Sequence, residues 1–258
     1  MTITSHASAP VHHAGMVREL VVRQIRLRYS GSVLGLGWSQ LAALAQAGVL
    51  IFIFGRVVRL GIPNYAAFVL VGMVPWLWFV GAIGAAADSV VSGRDLIRRP
   101  GFPSAVLPLV AVGVALINFV LMLPITLVTV GLVTGRVPAR AMLLPVVAIV
   151  QLVVMLGPAY LVATVNVFLR DTGHLVSILL GLLFYATPVF YAHVPSHYHL
   201  IVTLNPMAHL VAAYRQVLLY GTMPSWGGLA ALMVGGVAVT LACYRVFVGY
   251  ERWFAEEL

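Results

Sequence analysis

The sequence predicts an all-α membrane protein with six transmembrane helices. Three observations carry this expectation. Of the 258 residues, 62% are hydrophobic and 9% are charged, more apolar surface than a water-soluble fold can hide. The charges are gathered so that six stretches contain none: 29–55, 60–87, 100–135, 141–169, 172–214 and 216–244. Each is long enough to cross a hydrocarbon core about 30 Å thick, which takes about 20 helical residues. No linker or shift in composition sets off a soluble domain, and no internal repeat is evident. The expected organisation is a cytoplasmic N-terminus with an amphipathic helix over 1–32, a six-span domain over 33–248 and a cytoplasmic tail over 249–258.

The elements follow in order. Residues 1–15 are polar and hold no apolar h-region, so no cleavable signal peptide is expected. The first span then serves as its own insertion signal. Residues 16–29, MVRELVVRQIRLRY, read as an amphipathic helix. Met16, Val17, Leu20, Val21, Gln24 and Leu27 share one side; Arg18, Glu19, Arg23 and Arg26 share the other, with Val22 and Arg28 as exceptions. A positive-inside anchor accounts for these arginines; a docking surface for a cytoplasmic partner also fits. Inside the second span, Pro75, Trp76, Trp78 and Phe79 lie deeper than an interfacial aromatic belt. Packing between helices is the plainer account of these rings, and stacking on sugar rings is the functional one.

Residues 88–104, DSVVSGRDLIRRPGFPS, form the longest expected cytoplasmic loop. Within it, 95–99 can make one or two helical turns, stopped by Pro100-Gly101. A short charged helix between two spans suits a subunit pushed from outside. The run 172–214 is too long for one crossing and its second half is interrupted by Pro188, Pro195 and Asn205-Pro206. The expectation is one span at about 174–191, followed by short re-entrant helices on the outer side. Such backbone persists at membrane depth only where protein or a water-filled cavity satisfies it. His193, His197 and His199 lie here with no Cys or carboxylate on that side, so they read as polar loop residues rather than a metal site. The lone cysteine, Cys243, sits in the last apolar run and permits no intrachain disulfide.

Orientation follows from arginine. With the N-terminus in the cytoplasm and six crossings, Arg18, Arg23, Arg26, Arg28, Arg94, Arg98, Arg99, Arg170, Arg245 and Arg252 fall inside. Arg56, Arg59, Arg136, Arg140 and Arg215 fall outside, the bias expected for this orientation. A seventh crossing within 172–214 weakens that bias, which favours six.

Composition also excludes functions. All fifteen basic residues are Arg, so the phosphate-cradling GxxxxGK[ST] loop is impossible. If ATP drives this protein, another subunit binds it. The net charge of +8 reads as membrane orientation rather than nucleic-acid binding. No carboxylate lies within the spans, and neither GxSG nor HExxH is present, which disfavours an enzyme and ion-coupled transport. What remains is a pathway moved from outside the chain, or a membrane scaffold without transport.

Several segments together resemble the permease subunits of ABC exporters for cell-surface polysaccharides: O-antigen, teichoic acid and capsule. Residues 26–35, RLRYSGSVLG, with Trp38, are similar to the family's entry into the first span. Val71-Gly72-Met73-Val74-Pro75-Trp76 matches its Gly-x-x-Pro-Trp pattern. Leu96-Ile97-Arg98-Arg99-Pro100-Gly101-Phe102-Pro103, Leu169-Arg170-Asp171, Thr187-Pro188-Val189-Phe190-Tyr191 and Leu204-Asn205-Pro206-Met207 follow in the family's order. The chain departs where relatives often place Pro after the Trp; here the stretch is Ser39-Gln40-Leu41-Ala42.

The resemblance implies a homodimer clamped by two cytoplasmic ATPase subunits that bind ATP and Mg, with no cofactor in this chain. It implies coupling through Arg94, Asp95, Leu96, Ile97, Arg98 and Arg99, and an interface helix carrying Arg18, Arg23, Arg26, Arg28 and Tyr29. It implies a channel for a lipid-linked polysaccharide along Trp76, Trp78, Phe79, Tyr185, Phe190 and Tyr191. The outer gate would comprise Pro188, Asn205, Pro206, Tyr214 and Arg215. The implied place is the bacterial cytoplasmic membrane, with both termini inside. A permease for another amphiphile, lipid or drug, is the alternative.

Overall fold

A computed structural model describes residues 9–31, 35, 37–193 and 199–257. All of its regular structure is helical among these residues. The helices are α1 (Ala9–Tyr29), α2 (Gly37–Val57, ending in a π turn), α3 (Tyr65–Ser92), α4 (Arg94–Ile97) and α5 (Val106–Thr134). They continue as α6 (Ala139–Phe168, opening in a 3-10 turn), α7 (Thr172–Ala186), α8 (His199–Leu204), α9 (Pro206–Arg215, running into a π turn at Gln216–Tyr220) and α10 (Trp226–Glu257). Five of these, α2, α3, α5, α6 and α10, are long and apolar enough to cross a membrane. Apolar α7 has 15 residues, about 22 Å of helix, shorter than the span expected at 174–191. It stops because Thr187, ahead of Pro188, turns to an extended conformation.

Helix α3 is the spine. Of its most apolar window 78% is buried, against 6% for α2 and 11% for α10. It packs against α5, α6, α7 and α9. A helix that is apolar all round belongs in the middle of such a bundle. Gln151 of α6 is fully buried and donates through Nε2 to Pro75 O at 2.8 Å, tying α6 to the spine. Along α6 and α10 the backbones nearly touch. A Cβ on Gly157 would lie 2.8 Å from Val239 Cγ1 and 3.0 Å from Thr240 N. Small residues allow this approach where no hydrophobic effect pushes helices together. Thr240 Oγ1 donates to Val153 O at 3.0 Å beside it.

Polar contacts collect at the ends. At the basic end, Asn166 Nδ2 donates to Asp88 Oδ1 at 3.2 Å, and its Oδ1 accepts from Gly173 N at 3.1 Å. These two bonds join the end of α3 to the α6–α7 turn. Glu251 Oε1 accepts from the backbone N–H and the hydroxyl of Ser104, at 3.1 and 2.7 Å. Residues 249–257 are the last turns of α10 rather than a separate tail, held there by Glu251 and by Phe254 packed on Phe247. At the far end, Arg140 donates to Gly221 O, closing the α5–α6 turn on the turn that follows α9.

Helix α1 lies against the start of α5, with Val21 packed among Val106, Val110 and Val114. Val17, Leu20 and Ile25 flank it, while Leu27 is 65% exposed. The buried stripe therefore runs through Ile25 instead of Gln24 and Leu27. Gly157→Leu is expected to drive α10 off α6 and cost about 1–3 kcal/mol. Thermal unfolding of the detergent-solubilised variant should begin several degrees lower, and an unchanged transition would contradict this contact.

Candidate functional site

Two assemblies stand out, one at each end of α3. At the basic end a groove of about 350 Å³ opens between α1, the end of α3, α4 and the start of α5. Leu20, Arg23, Gln24 and Leu27 form one wall; Asp95, Leu96 and Arg99 form the other. Leu107, Val110 and Ala111 make an apolar floor. Two segments 70 residues apart in the chain, read separately as partner surfaces, thus share one concavity. α4 is a single turn because Gly93 precedes it and Pro100 follows. Arg94, Asp95, Arg98 and Arg99 are exposed, and Leu96 and Ile97 are half-buried. The ion pair Arg94 Nε–Asp95, at 3.8 Å and open to solvent, adds little stability. Arg18, Arg23 and Arg26 are exposed along α1, and Arg28 and Tyr29 end that helix.

At the far end the turn that follows α7, residues 187–190, lies against the start of α3. Arg215 holds it there. Arg215 is 6% exposed. Its Nη1 donates to Pro188 O at 2.6 Å and its Nη2 to Val189 O at 2.5 Å, with a longer contact to Phe68 O at 3.5 Å. The Phe68 ring lies under its Cζ, 3.5 Å from the centroid. No carboxylate pairs with it among the described residues. The cation is held by carbonyl dipoles and a π face. Gly72 makes room: a Cβ there would sit 2.7 Å from Arg215 Nη2 and 2.9 Å from Val189 O. That is a physical reason for the glycine of the Gly-x-x-Pro-Trp pattern.

Further bonds reinforce the clamp. Tyr65 Oη donates to Phe190 O at 2.7 Å. Asn205 caps α9 by accepting from Met207 N at 3.0 Å, and its Nδ2 donates to the Thr187 hydroxyl at 2.8 Å. Pro206 is the first residue of α9, where its missing N–H costs nothing. Tyr214 is buried beside Arg215, against Phe119. The structure thus brings Pro188, Asn205, Pro206, Tyr214 and Arg215 into one cluster. It also shows that Arg215 is a buried structural cation, not the loop charge the orientation count used. Burial satisfied by carbonyls on another segment removes it from solvent. Thr187, Phe68 and Tyr65 complete the cluster, and sequence reasoning missed Phe68 and Tyr65 because each looks like an ordinary apolar-run residue. His193 and His199 are exposed nearby; His197 and Pro195 lie outside the described residues, as do Ser32, Val33 and Leu34.

The aromatic residues divide. Trp76, Trp78 and Phe79 are buried in the core of the chain, Trp76 against Phe184 and Trp78 stacked on Phe119. They present no open face in this conformation, so packing is the role the single chain displays for them. Phe184 continues to Phe190, whose ring also meets Phe54, Tyr185 and Tyr191. Tyr185 is 68% exposed on the outer face of α7. An aromatic ridge therefore climbs from the core to a free surface.

No protein-family model matches the chain. It is 37% identical over 251 residues to the O-antigen export system permease protein RfbA of Myxococcus xanthus, covering 95% of this chain and 96% of that protein. Two proteins of the same name from Klebsiella pneumoniae are 30% identical over 255 residues, with 96% and 98% covered.

Replacing Arg215 with Met should leave the Pro188 and Val189 carbonyls unpaired and cost about 3 kcal/mol. Hydrogen exchange at 189–191 should quicken while the core of α3 stays protected. Arg215→Lys should give only partial rescue, since one ammonium cannot span both carbonyls and stack on Phe68. Equal protection in all three proteins would remove the clamp.

Proposed function

The chain belongs to the permease family of O-antigen export systems, and on that premise we propose that it is the membrane subunit of an ATP-driven exporter of lipid-linked polysaccharide. The observation that carries this reading is the groove in which α1 and α4 meet. An ATPase subunit that docks there touches Arg23, Asp95, Leu96 and Arg99 together. A chain with no lysine cannot form the phosphate-binding loop itself, so ATP and Mg belong to that partner.

Force applied at α4 enters α3, which is continuous from Ser92 to Tyr65. The other end of α3 carries Phe68 and Gly72, against which Arg215 holds the segment 188–190. We read that segment, with α8 and α9, as the outer gate. Movement of α3 by the partner changes the seat of Arg215 and frees the carbonyls it holds. α7 then counts as a sixth crossing, shortened because gate and protein complete its passage. Both termini lie in the cytoplasm and the membrane is the bacterial inner membrane. The exposed apolar faces of α2 and α7, with Leu179, Leu182 and Tyr185, suit a second copy, and the polysaccharide would pass between the two.

The test is a pull-down of tagged protein in mild detergent with mass spectrometry. A stoichiometric ATPase should co-purify, and Leu96→Asp or Arg99→Ala should weaken its binding about tenfold. Absence of an ATPase from folded protein overturns the reading. A reporter fused after Leu258 should be active only on the cytoplasmic side; activity outside would overturn six crossings.

A further inference from the structure

Helix α5 has no cap of its own. Its N-cap position is Ala105, whose side chain accepts no hydrogen bond, and its first turn holds no acidic residue. The hydroxyl of Ser104, one residue earlier, donates to Glu251 Oε1 at 2.7 Å. The Ser104 backbone N–H donates to the same oxygen at 3.1 Å. Ser104 is buried, and its acceptor comes from α10, 147 residues later in the chain. A carboxylate suits this place. It accepts several hydrogen bonds at once, and its charge is favoured at the positive end of a helix. Among the described residues no basic side chain forms an ion pair with Glu251.

Further contacts hold the same turn. Tyr160 Oη of α6 donates to Ala105 O at 3.1 Å. Tyr160, Phe247 and Phe254 belong to one buried cluster, and Ile97 of α4, with Ala105 and Leu109, packs against it. The joint between α3 and α4 rests here too, since a Cβ on Gly93 would lie 2.6 Å from Leu107 Cδ1. The four residues of α4 cannot sustain a helix by themselves. Their seat is the start of α5 and the aromatic cluster behind it. Apolar contact is non-directional and leaves α4 free to slide. Two hydrogen bonds to one carboxylate oxygen fix where the seat lies.

We propose that Glu251 is a positioning residue of the transport cycle: by holding the first turn of α5 it keeps α4 seated, and it carries a push on α4 into α10 as well as into α3. The inference rests on the export reading above. The last turns of α10 are then part of the moving machinery rather than the trailing end of the chain.

The test uses the complete transporter: the tagged chain purified with its ATPase, and the same variants in cells. ATP hydrolysis per purified complex is set against glycan reaching the cell surface per inserted complex. Glu251→Ala should leave hydrolysis within about twofold and lower export about tenfold, the size of one lost hydrogen bond to a charged group. Glu251→Gln keeps an acceptor oxygen and should restore most of the export. Glu256→Ala, which removes an exposed carboxylate from the same end of α10, should change neither quantity. Unchanged export in Glu251→Ala overturns the proposal. A parallel fall of export and hydrolysis does the same, because it marks a residue that only holds the fold; so does a Gln variant as poor as the Ala variant. If Glu251→Ala yields no complex, Ser104→Ala removes the hydroxyl bond and leaves the backbone one. Export should then fall about threefold at constant hydrolysis, and unchanged export overturns the proposal. If no ATPase purifies with the unsubstituted chain, or that complex exports no glycan, the export reading itself fails; if it exports and Glu251→Ala exports equally, only this inference fails.

Discussion

A chain inside hydrocarbon must satisfy every carbonyl it exposes, and between α7 and α8 this chain breaks its own helix. Pro188 ends the ladder, and Thr187 ahead of it is extended. The carbonyls of 188 and 189 then have no helical partner. Arg215 supplies one. Burying a guanidinium costs several kcal/mol. Two charge-assisted hydrogen bonds at about 1.5–3 kcal/mol each, with a desolvated cation–π contact near 2 kcal/mol, offset that cost. The balance is close, so the clamp is stable while Phe68 and Gly72 keep their places and loses its footing when they move. An aliphatic side chain at 215 could hold neither carbonyl.

The rest of the bundle serves that contact. α3 is packed on every side, so a displacement at one of its ends is not absorbed locally. Its basic end is pinned through Asp88 to the α6–α7 turn, and the start of α5 is pinned through Ser104 to α10. Its far end supplies the π face under Arg215. The least buried crossing helices, α2 and α10, lie on the outside of this frame; α10 packs closely on α6 through Gly157 and the rings of Tyr160 and Phe247, and α2 meets α5 through amides. On the reading proposed above, a push on α4 enters a well-packed spine rather than a loose end.

The fold was legible wherever apolar runs carry a clean length. The first four runs and the last each hold a helix long and apolar enough to cross, with ends offset from the runs by up to about ten residues. The run 172–214 was harder because periodicity cannot say where a buried helix yields to extended chain. Pro188 and Asn205-Pro206 did mark both breaks, and the structure sets them against one another. Arg215 misled, since an arginine at the edge of an apolar run looks like a loop charge when its partners are carbonyls 26 and 27 residues earlier. Main-chain acceptors leave no trace in a sequence. Trp76 and Trp78 illustrate the reverse: their depth was readable, their burial against Phe184 and Phe119 was not. The groove was half legible, as two basic segments whose meeting only the packing of α1 on α5 reveals.

The distribution of polarity sets the division of labour. Most charged residues sit near the ends of the bundle, and the one deeply buried cation among the described residues, Arg215, is neutralised by dipoles rather than by an acid. The polar groups packed between the crossing helices include hydroxyls and carboxamides, such as Ser39, Gln40, Asn118 and Gln151. A protein that used an ion gradient would need a titrating or ion-binding group at that depth. One that moved apolar molecules would have no use for amides held off their partners. On the export reading proposed above, buried neutral donors and acceptors, with most charges near the ends of the bundle, suit a motor outside the membrane. On the reading proposed above, the gate is a single cation on a set of carbonyls, released by the same helix that receives the push.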